Sequence, residues 1–166
     1  MGKTLFYIIL VCTFFSCDYY LINPHKNHVG VIEESYWNNN DFKLCYNEKV
    51  FPGYYGRKNA GFAKSKDTLD NYFHTLFDNN GFTNSTGYIT IRFIINCKGE
   101  AGRYEIKQVG PDFKETKFNT YLTDHLLNLV KNLDTWTAVE FQGYNYDSFY
   151  HITFKLENGE LVEILS

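Results

Sequence analysis

The side chains able to do chemistry are few and scattered. Asp112 and Glu115 stand three apart in a polar connector. That spacing can pair a general acid with a general base, though carboxylates in such connectors are usually plain solvated charges. Asp124 and His125 are neighbours beside an apolar helical stripe, where a histidine is usually structural or exposed. His25 and His28 have the spacing of two imidazoles on one helical turn, with no third metal ligand near them. Cys45 is a nucleophile in principle, and no motif brings a histidine to it. The glycines at 53, 56 and 61 lack the order of a phosphate loop, and Gly-x-Ser-x-Gly, His-Glu-x-x-His and Cys-x-x-Cys are missing from the sequence. The residues therefore read as those of a non-enzyme with no metal and no cofactor. Net charge is −3 with both signs mixed, so the electrostatic footprint of nucleic-acid binding is missing too.

The elements that must position these groups are clearer than the groups themselves. At 166 residues the chain is one domain long. In Tyr88–Cys97, residues Ile89, Ile91, Phe93, Ile95 and Cys97 share one face while Thr90, Arg92 and Asn96 share the other, the period of a half-buried strand. Arg103–Val109 alternates likewise, with Tyr104 and Ile106 inward. A third strand, Tyr150–Glu157, places Tyr150, Ile152, Phe154 and Leu156 on one face. Asn158-Gly159 then signals a two-residue hairpin, and Leu161–Leu165 can close a short last strand. Two helices are expected. Asp67–Asn80 carries Leu69, Tyr72, Phe73, Leu76 and Phe77 on one face, with Asp67 as N-cap and Asn79-Asn80-Gly81 as the stop. Asn119–Asn132 continues the stripe Phe118, Leu122, Leu126, Leu129, Leu133. Asp41–Tyr46 alternates as a strand would, and Trp136 opens a loop through Gly143. The expected class is α+β: a small antiparallel sheet of three to four strands packed against two helices. An aromatic-rich loop, 51–62, precedes it; it reads as a structural loop, with the wall of a small-ligand pocket as the alternative.

The first residues look like a targeting segment. Lys3 is a short positive region, and Leu5–Phe15 is an apolar run too short to span a bilayer. Phe14-Phe15-Ser16-Cys17 follows, and resembles the lipobox of bacterial lipoproteins, in the relaxed form found in the Bacteroidota, since Phe14 stands where Leu is commonest. The resemblance implies a signal peptide over 1–16, cleavage before Cys17, lipid on Cys17, and an envelope protein held at a membrane, expected to be the outer one. An ordinary secretory signal with an incidental cysteine is the alternative. Residues 17–40 then read as a tether, 41–66 as a lead-in, and 67–166 as the domain.

With Cys12 removed in the signal and Cys17 given to lipid, Cys45 and Cys97 remain. The compartment is oxidising, so a Cys45–Cys97 disulfide is expected to staple the lead-in to the sheet, against two separate buried thiols.

From about Leu69 to Leu165 the order helix, strand, strand, helix, strand resembles the C-terminal domain of TonB. The local marks are Asn96-Cys97-Lys98-Gly99-Glu100, Trp136-Thr137-Ala138, Gly143 and Ile152-Thr153-Phe154. The family's usual Trp-x-Pro-Ala is one residue shorter here and lacks Pro. The chain also has a lipobox where a transducer has a transmembrane helix, and 3 Pro in place of a Pro-rich spacer. The resemblance implies a binding module that pairs its sheet edge with an extended peptide from an envelope or outer-membrane protein, accessory to TonB-dependent transport, rather than an energy transducer. The expected edge is Tyr150, Ile152, Thr153, Phe154 and Lys155, or the hairpin after them; full pairing of Leu161–Leu165 would cover the first and block the mode there. A structural envelope lipoprotein without a dedicated ligand is the alternative, with a small-ligand carrier or enzyme behind it.

Overall fold

The strand with the strongest alternation lies in the middle of the sheet. β3 (Gly87–Ile95) buries Ile89, Ile91, Phe93 and Ile95 completely on one face, as a side-chain period of two requires. The computed structural model describes residues 32, 42–46, 50–53, 59–79 and 81–166. Cys17, His25, His28 and the rest of the expected signal and tether lie outside the described residues, apart from Ile32, which is buried within a compact unit running Ile32–Ser166.

β3 pairs antiparallel with β4 (Ala101–Val109) on one side and β8 (Ser148–Glu157) on the other. β9 (Glu160–Leu165) folds back on the second half of β8, and β1 (Phe51–Pro52) pairs parallel with its first two residues. The class is α+β as expected. The sheet has five strands, not three to four, and one of them is parallel. The turn Asn158-Gly159 takes φ of 51° and 84°, the left-handed pair that a two-residue hairpin needs. On β4, Arg103 at φ 56° sits at a register shift opposite Arg92–Ile94, a bulge that the alternation did not announce.

Both helices pack on the inward face. α1 (Lys66–Leu76) is capped by Ser65, whose side chain accepts from the Thr68 N–H; the expected cap, Asp67, instead favours the dipole from the first turn. The helix stops at Phe77, short of Asn79-Asn80-Gly81, because Phe77 turns toward His125 and the Asp78 N–H donates to His125 Nε2. Leu69 and Phe73 are buried, but Leu76, expected on the same face, is 47% exposed. Phe73 meets Phe154 edge-on at 4.8 Å; full burial of such a ring stabilises by about 2–3 kcal/mol. α2 (Thr120–Lys131) is capped by Asn119 and buries Leu122, Leu126, Leu129 and Val130. The Tyr72 hydroxyl donates to the Leu129 carbonyl and ties the two helices together.

Past α2 the chain is more ordered than its sequence suggests. β5 (Trp136–Thr137) pairs with β2 (Gly61–Phe62). β6 (Val139–Phe141) and β7 (Tyr144–Tyr146) then form a separate hairpin across Gln142-Gly143. The stretch expected as a loop is therefore mostly ribbon. Conversely, residues 42–46 contain no strand. Phe42 packs over Gly102, which leaves room for it: a Cβ there would stand 2.3 Å from the Phe42 ring.

Candidate functional site

The groups that could do chemistry end up apart. Asp112 is exposed and paired with Lys114 at 2.9 Å; that hydrogen bond holds its carboxyl below the usual range. Glu115 bridges back to Val109, so the two carboxylates belong to a tight turn at the end of β4. His125 joins the two helices through Asp78, and Asp124 is exposed. Cys45 is bonded to Cys97. The loop 51–62 is described at 51–53 and 59–62. Its second part borders an open cleft of about 360 Å³ with Lys64, Lys66, Leu69, Tyr150 and Ser166. The Tyr150 phenol there is raised from its ordinary pKa by burial, and is already hydrogen-bonded with Ser166 and the Phe62 backbone.

Pairing covers part of the expected peptide-binding edge. Tyr150, Ile152, Thr153, Phe154 and Lys155 all lie on β8, whose outer side meets β1 at Ser148 and Phe149 and β9 from Thr153 onward, so that among the described residues no strand pairs with residues 150–152 on that side. Thr153, Phe154 and Lys155 pair with Leu165, Ile164 and Glu163 on the outside and with β3 on the inside. The tight Asn158-Gly159 turn is the cause, because it returns β9 along the side that would otherwise be open. The hairpin after the third strand therefore carries the rim. Among the described residues β9 pairs only with β8. It buries Leu161 and Ile164 and exposes Val162 at 45% and Leu165 at 40%. Val162 is the extra residue of a bulge, since Leu156 faces Leu161 while Lys155 faces Glu163. At the opposite side of the sheet, the end of β4 is closed by the turn after it. The Thr116 N–H donates to the Gln108 carbonyl and the Gly110 N–H to the Lys114 carbonyl.

The end of the sheet away from that turn is held by a buried carboxylate. Asp147, between β7 and β8, is fully buried. Its Oδ2 accepts from the Cys45 and Tyr46 N–H groups at 2.8 and 3.0 Å, and its Oδ1 from the Cys97 N–H at 2.9 Å. Its own carbonyl accepts from the Phe51 N–H at 2.8 Å. Cys97 sits just past the end of β3, in a turn shaped by Asn96, whose Oδ1 accepts from the Lys98 and Glu100 N–H groups. The disulfide and the Asp147 carboxylate thus clamp the same two segments. Both sulfurs are consumed in the S–S bond, so the cluster Cys45, Cys97, Asp147 is a structural knot although its atoms lie within 4.8 Å of one another.

The knot gathers aromatic rings. Tyr146 lies 5.1 Å from Tyr46 and 4.8 Å from Phe51, centroid to centroid. Two residues further along the hairpin on the same face, Phe141 and Tyr144 form a cross-strand pair.

The other sheet face carries a polar row that its alternation did announce. Glu105, 1% exposed, is held by Arg92 at 2.8 Å and Lys107 at 2.9 Å. Thr90 and Thr153 share a hydrogen bond beside them, and His151 pairs across from Arg92. His151 keeps an exposed side, yet partial loss of water around its ring, and then the charge of Arg92, push its pKa below the ordinary value.

Sequence reasoning missed Asp147 altogether. Its only mark is an acid immediately before an apolar alternating run. No protein-family model, characterised protein or solved structure matches this chain.

Proposed function

We propose that this chain is a lipid-anchored envelope protein, held by Cys17, whose domain binds an extended segment of another envelope protein along the outer side of β9. The observation that carries the reading is the rim itself. β9 offers a strand backbone paired on one side only among the described residues, flanked by the exposed apolar side chains of Val162 and Leu165. Strand addition draws its affinity from main-chain hydrogen bonds and its selectivity from alternate side chains. It needs no constellation of special residues, which fits a domain whose Cys45 and Cys97 are joined and whose Asp147 carboxylate is engaged by backbone N–H groups. The Cys45–Cys97 bond supports an oxidising compartment. The Phe14-Phe15-Ser16-Cys17 stretch supports the anchor, and the resemblance to the TonB C-terminal domain favours a partner in outer-membrane transport.

Immobilised full chain, solubilised from membranes, tests the rim directly. Val162→Lys with Leu165→Lys puts ammonium groups on the rim at two exposed positions, a device that blocks edge pairing without touching the core. The wild-type chain retains a discrete envelope protein and the double variant loses it. Equal retention by both contradicts strand addition at β9.

A further inference from the structure

The carboxylate at the end of the sheet carries a charge that its surroundings leave unneutralised. Asp147 is fully buried, and the ion pairs among the described residues join other side chains. Its partners are the backbone N–H groups of Cys45, Tyr46 and Cys97. A buried charge is ordinarily paired with an opposite one or bound to a metal ion. A carboxylate also has about four acceptor positions, and Oδ1 takes only the Cys97 N–H. Two sulfurs stand beside it: one ligand atom each from Cys45, Cys97 and Asp147 lies within 4.8 Å of the others. With the S–S bond in place the sulfurs have no thiolate to offer. Both cysteines keep a partly exposed side, so a thiol can reach the bond.

We propose that reduction of the Cys45–Cys97 bond turns this knot into a site for a zinc-type divalent ion, with the two thiolates and Asp147 as ligands and water in the fourth position. The reductant is a dithiol. It gives two electrons and two protons to the two sulfurs and becomes a disulfide itself; Zn²⁺ then displaces the two thiol protons. Tetrahedral Zn²⁺, with bonds of about 2.3 Å to sulfur and about 2.0 Å to oxygen, holds its sulfurs about 3.8 Å apart and each about 3.5 Å from the oxygen. The sulfurs reach that separation by turning about their Cα–Cβ bonds, since the Cα atoms stand 6.0 Å apart. The two cysteine backbones keep their places without the disulfide, because Asp147 holds both N–H groups and the Asn96 side chain holds the Lys43 carbonyl. Three protein ligands and a water make the pattern of an open zinc site. The bound ion takes over the staple between the lead-in and the sheet. This site is independent of the β9 rim and of the anchor, and its failure leaves both untouched.

The test uses the full chain solubilised from membranes, with Co²⁺ as the probe, because its spectrum reports tetrahedral geometry and thiolate ligands. The chain is reduced with a phosphine, which is then removed under argon. One Co²⁺ per chain is expected, with thiolate and tetrahedral bands that Zn²⁺ erases. The same chain left oxidised is expected to show none, and so is Cys45→Ser with Cys97→Ser after reduction. Asp147→Asn is expected to bind at least about tenfold more weakly, and a thermal melt checks that this variant is folded. Where it is not, X-ray absorption of the wild-type zinc form counts the ligands instead: two sulfurs at about 2.3 Å and light atoms at about 2.0 Å are expected. No bands after reduction, equal bands in the oxidised chain or the double serine variant, four sulfurs per ion, or a folded Asp147→Asn that binds as tightly as wild type overturns the proposal.

Discussion

Replacing Asp147 by Asn tests whether one carboxylate assembles the end of the sheet. The side chain keeps its size, so packing is unchanged. What changes is the count of acceptors: three partly buried backbone N–H groups now face one carbonyl oxygen and one NH₂. In its better orientation the amide serves Cys45 and Tyr46 and turns a donor toward the Cys97 N–H. Losing one charge-assisted bond, stranding that donor and weakening the other two comes to about 3–5 kcal/mol. The disulfide closes a sequence separation of 52 residues, and the chain-entropy relation assigns such a loop about 4 kcal/mol. Either loss is a large part of the 5–15 kcal/mol or so that typically separates a folded domain from its unfolded chain. Urea denaturation followed by tryptophan fluorescence measures each: wild type, Asp147→Asn, Cys45→Ser with Cys97→Ser, and the triple variant. Both features hold the lead-in against the Cys97 turn. The triple variant is therefore expected to lose less than the sum, with a coupling of about 0.5–3 kcal/mol. A loss under about 1 kcal/mol for Asp147→Asn, or strict additivity, refutes the clamp.

Two more outcomes follow from the polar sheet face. Arg92→Met leaves the buried Glu105 with Lys107 alone and is expected to cost about 2–4 kcal/mol, while adding Glu105→Met recovers most of it; chemical denaturation of the pair of variants checks this. His151 has a folded-state pKa below its unfolded one, so the unfolded chain takes up the proton first as pH falls. Its neutral form contributes stability that is complete above the unfolded value of about 6.5 and drains away on acidification. The melting temperature of the wild type is therefore expected to fall more steeply below that pH than that of His151→Gln, and parallel curves contradict the assignment.

The sequence carried the parts of this fold that one face decides. β3, β4 and β8 alternate because helices cover one side of the sheet, and the Leu122–Leu126–Leu129–Leu133 stripe answers them with the helical period. Asn158-Gly159 marks its turn because few other dipeptides accept two left-handed residues in a row. The choice of rim between the third strand and the hairpin after it stayed open in the sequence, since alternation says which face is buried and nothing about which neighbour is present. β1, β2 and β5 are two residues long and carry no period at all. The β6–β7 hairpin was hidden because its turn, Gln142-Gly143, has no Asn or Asp. Cys45–Cys97 was legible from cysteine arithmetic, but Asp147 was not. A buried acid that serves backbone donors from two distant segments has no local signature.

Photo-crosslinking in living cells tests the central claim most directly. A photoactivatable residue placed at Val162 of the full chain is expected to give one discrete adduct with an envelope protein. The same residue placed at Tyr121, on the exposed side of α2, is expected to give none. Adducts missing at Val162, or equal at both positions, contradict a domain whose working part is the outer side of β9.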